Sequence, residues 1–242
     1  MDDTTNDSGL RGSASNPERE QRILEAASEL IVRYGYDKTT VADIAEAAGI
    51  SKGAIYLHFD SKEALFEELV YFESERVLNR LLAEIDDGTT QVESFFGVYH
   101  KLMQTTAENP LMKALLSRDR RVLGDFMRKM RDSALFKTGS GFTRELIIEL
   151  QAKQIVRDDL SAKDVLYLMG IIRYGLLVVD DYLLPEDQVE ITAIGPALSE
   201  MLERGLAPEG GGNRAHGREM MIQWLRLGQQ ILALRKQPRD GE

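Results

Sequence analysis

Residues 41–59, VADIAEAAGISKGAIYLHF, set two short helical patterns on either side of a glycine. With Ala45 facing the turn and Gly49 making it, Ile44 and Ala48 point inward from the first helix, and Ile50 and Ile55 from the turn and second helix. Two helices that cross this closely need a small residue at the approach, a corner residue able to take positive φ, and apolar side chains that lock the crossing. The same alignment leaves Ser51, Lys52, Gly53, Ala54, Tyr56 and His58 facing outward, where a recognition helix in a major groove presents its side chains. Taken singly these residues are ambiguous. Tyr56 and His58 also suit the capping of a small three-helix core, and Lys52 and Lys62 suit a solvated surface.

The pattern around this stretch is helical nearly throughout. Asn16, Pro17 and Gly35 bracket a first helix with Ile23, Ala27, Leu30, Ile31 and Tyr34 on one face. Thr40 with Asp43 makes a capping-box start, Ser51 can cap the second short helix, and Asp60 or Ser61 a long helix that Asp87-Gly88 ends. Further helices are expected at 91–107, 110–134, 141–154, 162–183, 187–205 and 217–236. No alternation of period two runs long enough to make a sheet. The expected fold class is all-α.

The expected organisation is a disordered tail over 1–16, a helix-turn-helix unit over 17–62, a larger helical domain over 63–206, a flexible Gly-rich linker over 207–217, and an amphipathic helix with tail over 218–242. The formal net charge is −10. The acidity is concentrated in 63–212, whereas 213–242 is net basic. Any contact with a polyanion must therefore come from a few well-placed groups. Cysteine is absent, which excludes disulfides and thiolate metal sites and fits a cytoplasmic location. The N-terminus lacks the basic and apolar runs of a signal peptide. The most apolar window, 165–184, approaches the length of a membrane span, but Arg173 in its middle favours a buried helix of a soluble protein.

Residues 26–70, AASELIVRYGYDKTTVADIAEAAGISKGAIYLHFDSKEALFEELV, resemble the DNA-binding domain of tetracycline-repressor (TetR) family regulators. The matching features are a first helix ending in YGY, the TTVADIA helix, the GISKGAIYLHF recognition helix and the SKEALF start of a fourth helix. The resemblance implies that Thr40, Ser51, Lys52, Tyr56, His58 and Lys62 meet phosphates. It places Lys52, Gly53 and Ala54 nearest the base edges, with Ile55 and Phe59 in the core. Leu57 departs from the family, standing where many relatives carry a second aromatic or polar residue that reaches the backbone.

The resemblance also implies a homodimer on palindromic operator DNA, with recognition helices about 34–36 Å apart, and release of a repressor by a small, mainly hydrophobic effector. The helices expected at 162–183 and 187–205 are the candidates for the dimer interface. Met103, Phe126, Met130, Phe142, Met169, Arg173 and Tyr174 are the candidate effector contacts, core packing being the alternative for most of them. Arg173 has two readings, an ion pair with an acidic neighbour or across the dimer, and an anchor for a ligand's carboxylate or phosphate.

In the C-terminal segment Met220, Trp224, Leu227, Ile231 and Leu234 form a heptad-like seam. It suits docking on the protein's own dimer, a membrane surface or a partner protein. No Gly-rich phosphate loop, HExxH or convincing carboxylate dyad is present, and the three histidines are widely separated. No enzyme activity, cofactor or metal is expected. The rival from another class is a non-enzymatic adaptor that keeps the helix-turn-helix as scaffold.

Overall fold

A computed structural model describes residues 17–126 and 144–235. The tail over 1–16 with its Asn16 cap, the parts of the expected helices over 127–134 and 141–143, Met130, Phe142 and residues 236–242 lie outside the described residues. Among the described residues there is no strand. The helices are α1 (Pro17–Tyr34), α2 (Val41–Ala47), α3 (Lys52–Tyr56), α4 (Lys62–Asp86), α5 (Phe95–Ala107), α6 (Pro110–Ser117), α7 (Arg120–Leu123), α8 (described over 144–152), α9 (Ala162–Val178), α10 (Ile191–Leu206) and α11 (Arg214–Arg235).

Most helix starts follow from one side-chain oxygen that accepts a backbone N–H the helix itself leaves unpaired. Thr40, Ser51, Ser61, Ser94, Asn109 and Ser161 each do this. At Thr40 the arrangement is reciprocal, the Asp43 carboxylate accepting the Thr40 N–H at 2.8 Å. Gly49 (φ +66°) makes the helix-turn-helix corner, and the Ile50 N–H donates to the carbonyl of Ala45 at 2.9 Å.

Two buried clusters form the core. One gathers α1, α2 and α3 with the first half of α4 and with Leu111, Leu115, Leu123 and Phe126. The other joins Leu81, Leu82 and Ile85 of α4 to α5, α8, α9, α10 and the first half of α11. Helix α4 therefore belongs to both, and the core does not divide at residue 62. The α1–α2 turn is pressed against the segment after α6: a Cβ on Gly35 (φ +87°) would stand 2.5 Å from the carbonyl oxygen of Arg121.

Several expected elements differ. The helix read from 110 onward stops at Ser117, because Arg118 takes left-handed backbone (φ 56°) and Asp119 caps α7 afresh. The helix read as 162–183 ends at Val178 and gives way to 3₁₀ turns over Val179–Asp181 and Pro185–Asp187. The segment 207–213 is no free tether. Gly211 N–H donates to the Pro208 carbonyl at 3.0 Å, and a Cβ on Gly212 would come within 3.0 Å of the carbonyl oxygens of Gln154 and Ile155.

Helix α11 lies along α4 and α5 of its own chain. Of the heptad-like seam only Met220 and Trp224 pack on the second cluster, whereas Leu227, Ile231 and Leu234 are exposed; Met221, Ile222 and Leu225, outside the seam, complete the buried face. Its second half is held by polar contacts instead: Arg226 pairs with Asp86 at 2.6 Å and Gln229 donates to Asn79 at 2.6 Å. No helix among the described residues is long and apolar enough to cross a membrane.

Candidate nucleic-acid interface

Helix α3 is short, and its orientation comes from the residues it buries. Ile55 and Phe59 lie in the first core cluster, so the opposite side of the helix faces solvent. Ser51, Lys52 and Gly53 are exposed, Ala54 is half-buried and Tyr56 is exposed. The Lys52 ammonium stands 6.0 Å from the Tyr56 ring centroid, so the cation and the phenol occupy one face. Ser51 Oγ accepts the Ala54 N–H at 3.2 Å, which orients its hydroxyl at the same surface. Leu57 is 72% exposed beside them. An apolar side chain in that place suits contact with a base methyl or a sugar rather than with a phosphate.

Thr40 is exposed at the start of α2, and its hydroxyl donates to the Asp43 carboxylate at 2.7 Å. Those hydrogen bonds hold the Asp43 carboxyl below the usual carboxylate range. Two expected contact residues are turned away from the outward face. The His58 side chain is only 5% exposed, with Nδ1 toward Glu20 of α1 at 3.9 Å. The ring packs beside Phe59 because the chain turns back toward α1 directly after α3. Lys62 donates from Nζ to the Tyr36 carbonyl and lies over the Tyr36 ring, which draws its charge into the joint between α1 and α4.

Tyr36 and Glu73 are the residues whose importance the sequence understated. Tyr36 packs edge-on to Phe66 with centroids 5.0 Å apart, and lies 5.3 Å from the Phe126 ring. Burial pushes its hydroxyl pKa upward, with Glu63 and Asp37 acting in the same direction. Glu73 is 1% exposed on α4 and accepts from Ser28 at 2.8 Å and from Asn109 at 2.6 Å. The available signal was its register: it falls in line with Phe66, Leu69, Val70 and Val77 on the buried stripe of α4.

The candidate effector contacts are dispersed. Met103 and Met169 lie in the second cluster, but Phe126 lies in the first, against Tyr36 and Phe66. Arg173 and Tyr174 are exposed, and Tyr174 lines a surface cleft of about 560 Å³ with Asp119 and Arg121. Within the single chain Arg173 is exposed because α9 is not covered all round. Tyr167 (72% exposed), Leu168, Ile171 and Tyr174 leave one of its faces open.

A small helical unit that presents an outward recognition helix, built onto a larger helical body, is the architecture of a DNA-binding transcriptional regulator. Residues 23–69 match the family of bacterial regulatory proteins, tetR family. The nucleoid occlusion factor SlmA of Vibrio campbellii is 28% identical over 149 residues, 62% of this chain and 71% of that protein. The fold is shared with SCO4942 from Streptomyces coelicolor (TM-score 0.55, 24% identity, 78% of this chain and 99% of that one). It is shared too with the fatty acid degradation regulator FadR from Bacillus halodurans (TM-score 0.53, 18% identity, 78% and 96%). The DNA-binding unit of the chain, over residues 23–69, is that of the TetR family of bacterial regulatory proteins.

Proposed function

We propose that the chain is a repressor that binds a palindromic operator as a homodimer and is released by a small, mainly hydrophobic effector. The observation that carries this reading is the outward face of α3, where Ser51, Lys52, Gly53 and Tyr56 are exposed while Ile55 and Phe59 anchor the helix behind them. In the bound state Lys52, Gly53 and Ala54 meet base edges, and Thr40, Ser51 and Tyr56 meet phosphates. Lys62 reaches a phosphate only by leaving Tyr36, and His58 acts from behind the helix. Helix α10 likewise leaves Ile194 and Met201 exposed, and this supports assembly through these two helices. An effector bound among the residues around Met103 and Met169 would change the separation of the two recognition helices, and hence their fit to the half-sites. No turnover enters this scheme.

The test is selection of a DNA duplex from random sequence, followed by affinity measurement at one fixed salt concentration. Wild type is expected to recover a palindrome and bind it as a dimer. Lys52→Ala and Tyr56→Ala are expected to weaken binding by about tenfold or more. Equal affinity for selected and random DNA would overturn the reading in favour of an adaptor. The relatives' name, nucleoid occlusion factor, favours a second reading, in which the chain binds at many chromosomal sites instead of a few promoters. Chromosome-wide mapping of bound sites separates the two.

A further inference from the structure

A cleft of about 570 Å³ opens between the first turns of α1, the turn after α3, the start of α4 and the last turn of α11. Four carboxylates line it, those of Glu20, Asp60, Glu67 and Glu68, against one guanidinium, that of Arg235. Arg235 is already engaged. It pairs with Glu68 at 3.4 Å and lies over the Tyr71 ring, 3.2 Å from the centroid. Leu24, Phe59 and Phe72 add apolar surface to the same walls.

His58 lines the cleft as well. Its side chain is more than nine-tenths buried, and Nδ1 makes no hydrogen bond, with the Glu20 carboxylate 3.9 Å away. That separation is too long for a hydrogen bond, and a buried ring nitrogen without a partner costs free energy. A group with two or more N–H donors placed between Nδ1 and Glu20 would satisfy both. A guanidinium offers five donors in a planar fork, so one can reach the imidazole while others meet the carboxylate. A metal ion is the poorer fit, since no group of three or more His, Asp or Glu among the described residues is placed to hold one.

We propose that this cleft binds a small organic cation with a guanidinium head, seated between His58 and Glu20 with its aliphatic portion on Leu24, Phe59 and Phe72. The site lies wholly outside the second core cluster and is distinct from the effector region of the proposed function. His58 and Asp60 follow directly after the recognition helix, so an occupant ties that helix to α1 and α4 and acts on the DNA-binding unit itself.

The test uses the full-length chain without DNA, so that its outcome is independent of the operator reading. Agmatine, an alkylguanidine, is titrated at constant ionic strength while the ring C–H resonances of His58 are followed by NMR, with butylurea as the neutral analogue. Saturable movement of the His58 signals is expected, with a Kd below about 1 mM and no response to butylurea. Glu20→Gln, checked for native helical content, is expected to weaken binding at least about tenfold. His58→Phe, followed instead through the Phe59 and Phe72 ring signals, is expected to do the same. An unsaturated drift, an unmoved His58 or an unchanged affinity in Glu20→Gln would overturn the proposal.

Discussion

The ammonium of Lys62, the first residue of α4, lies 4.0 Å from the centroid of the Tyr36 ring and donates to that residue's carbonyl. The Tyr36 N–H in turn donates to the Val122 carbonyl at 2.7 Å, and its ring touches Phe66 and Phe126. One residue of the α1–α2 turn thereby joins the start of α4 to the segment that follows α6. Lys62→Ala should therefore destabilise the protein by about 1–2 kcal/mol, combining a charged hydrogen bond with a cation–π contact. An exposed lysine would cost only a few tenths. Urea unfolding of the two proteins measures the difference.

Glu73 is the second link between the same parts. Its carboxylate accepts from Ser28 of α1 and from Asn109 at the start of α6, and Arg76 lies 3.4 Å away. Removing it strands two donors at a buried place, so Glu73→Ala should cost about 2–4 kcal/mol. Asn109→Ala removes the α6 cap as well, at about 1–2 kcal/mol in all, and should still cost less because Ser28 and Arg76 continue to serve the carboxylate. Thermal unfolding of both variants checks the order as well as the size.

His100 sets a pH dependence. Burial pushes its pKa below the ordinary 6.5, a backbone hydrogen bond at Ile191 offsets part of this, and the charge of Lys101 adds to the lowering. Its ring is pressed against Gly195 of α10, where a Cβ would collide with the imidazole. The folded chain keeps His100 neutral at a pH where the unfolded chain has already protonated it. Unfolding therefore takes up a proton as pH falls below 6.5, and stability falls with pH from there down to the folded pKa. Thermal midpoints from about pH 8 to about pH 5.5 should drop less in His100→Gln than in wild type.

The open face of α9 and α10 gives a prediction about assembly. Ile171 is 54% exposed in the middle of an apolar strip with Tyr167 and Tyr174. A carboxylate placed there would be buried without a partner in any dimer formed through this strip. Ile171→Glu should give a folded monomer, read as halved mass by light scattering. It should also lower operator affinity about tenfold or more through loss of the paired recognition helix.

The local devices of this fold are legible in the sequence because each acts over a few residues. The Thr40–Asp43 box, the caps at Ser51, Ser61 and Ser161, Asn109-Pro110, and the left-handed corner at Gly49 depend on short hydrogen bonds and on backbone freedom, and the residue types name them. The outward set Ser51, Lys52, Gly53 and Tyr56 follows from the same register, since placing Ile55 inward decides what faces out.

What only the tertiary structure decided depends on groups far apart in the chain. His58 and Lys62 read as DNA contacts until the approach of Glu20 and Tyr36 shows where their side chains are drawn. The Glu73 carboxylate finds donors 45 and 36 residues away, and α11 finds Asn79 and Asp86 on α4 across 150 and 140 residues. No periodicity announces such pairings. Sequence pattern encodes which face of a helix is apolar, whereas the partner of a single polar group is set by how the helices stack.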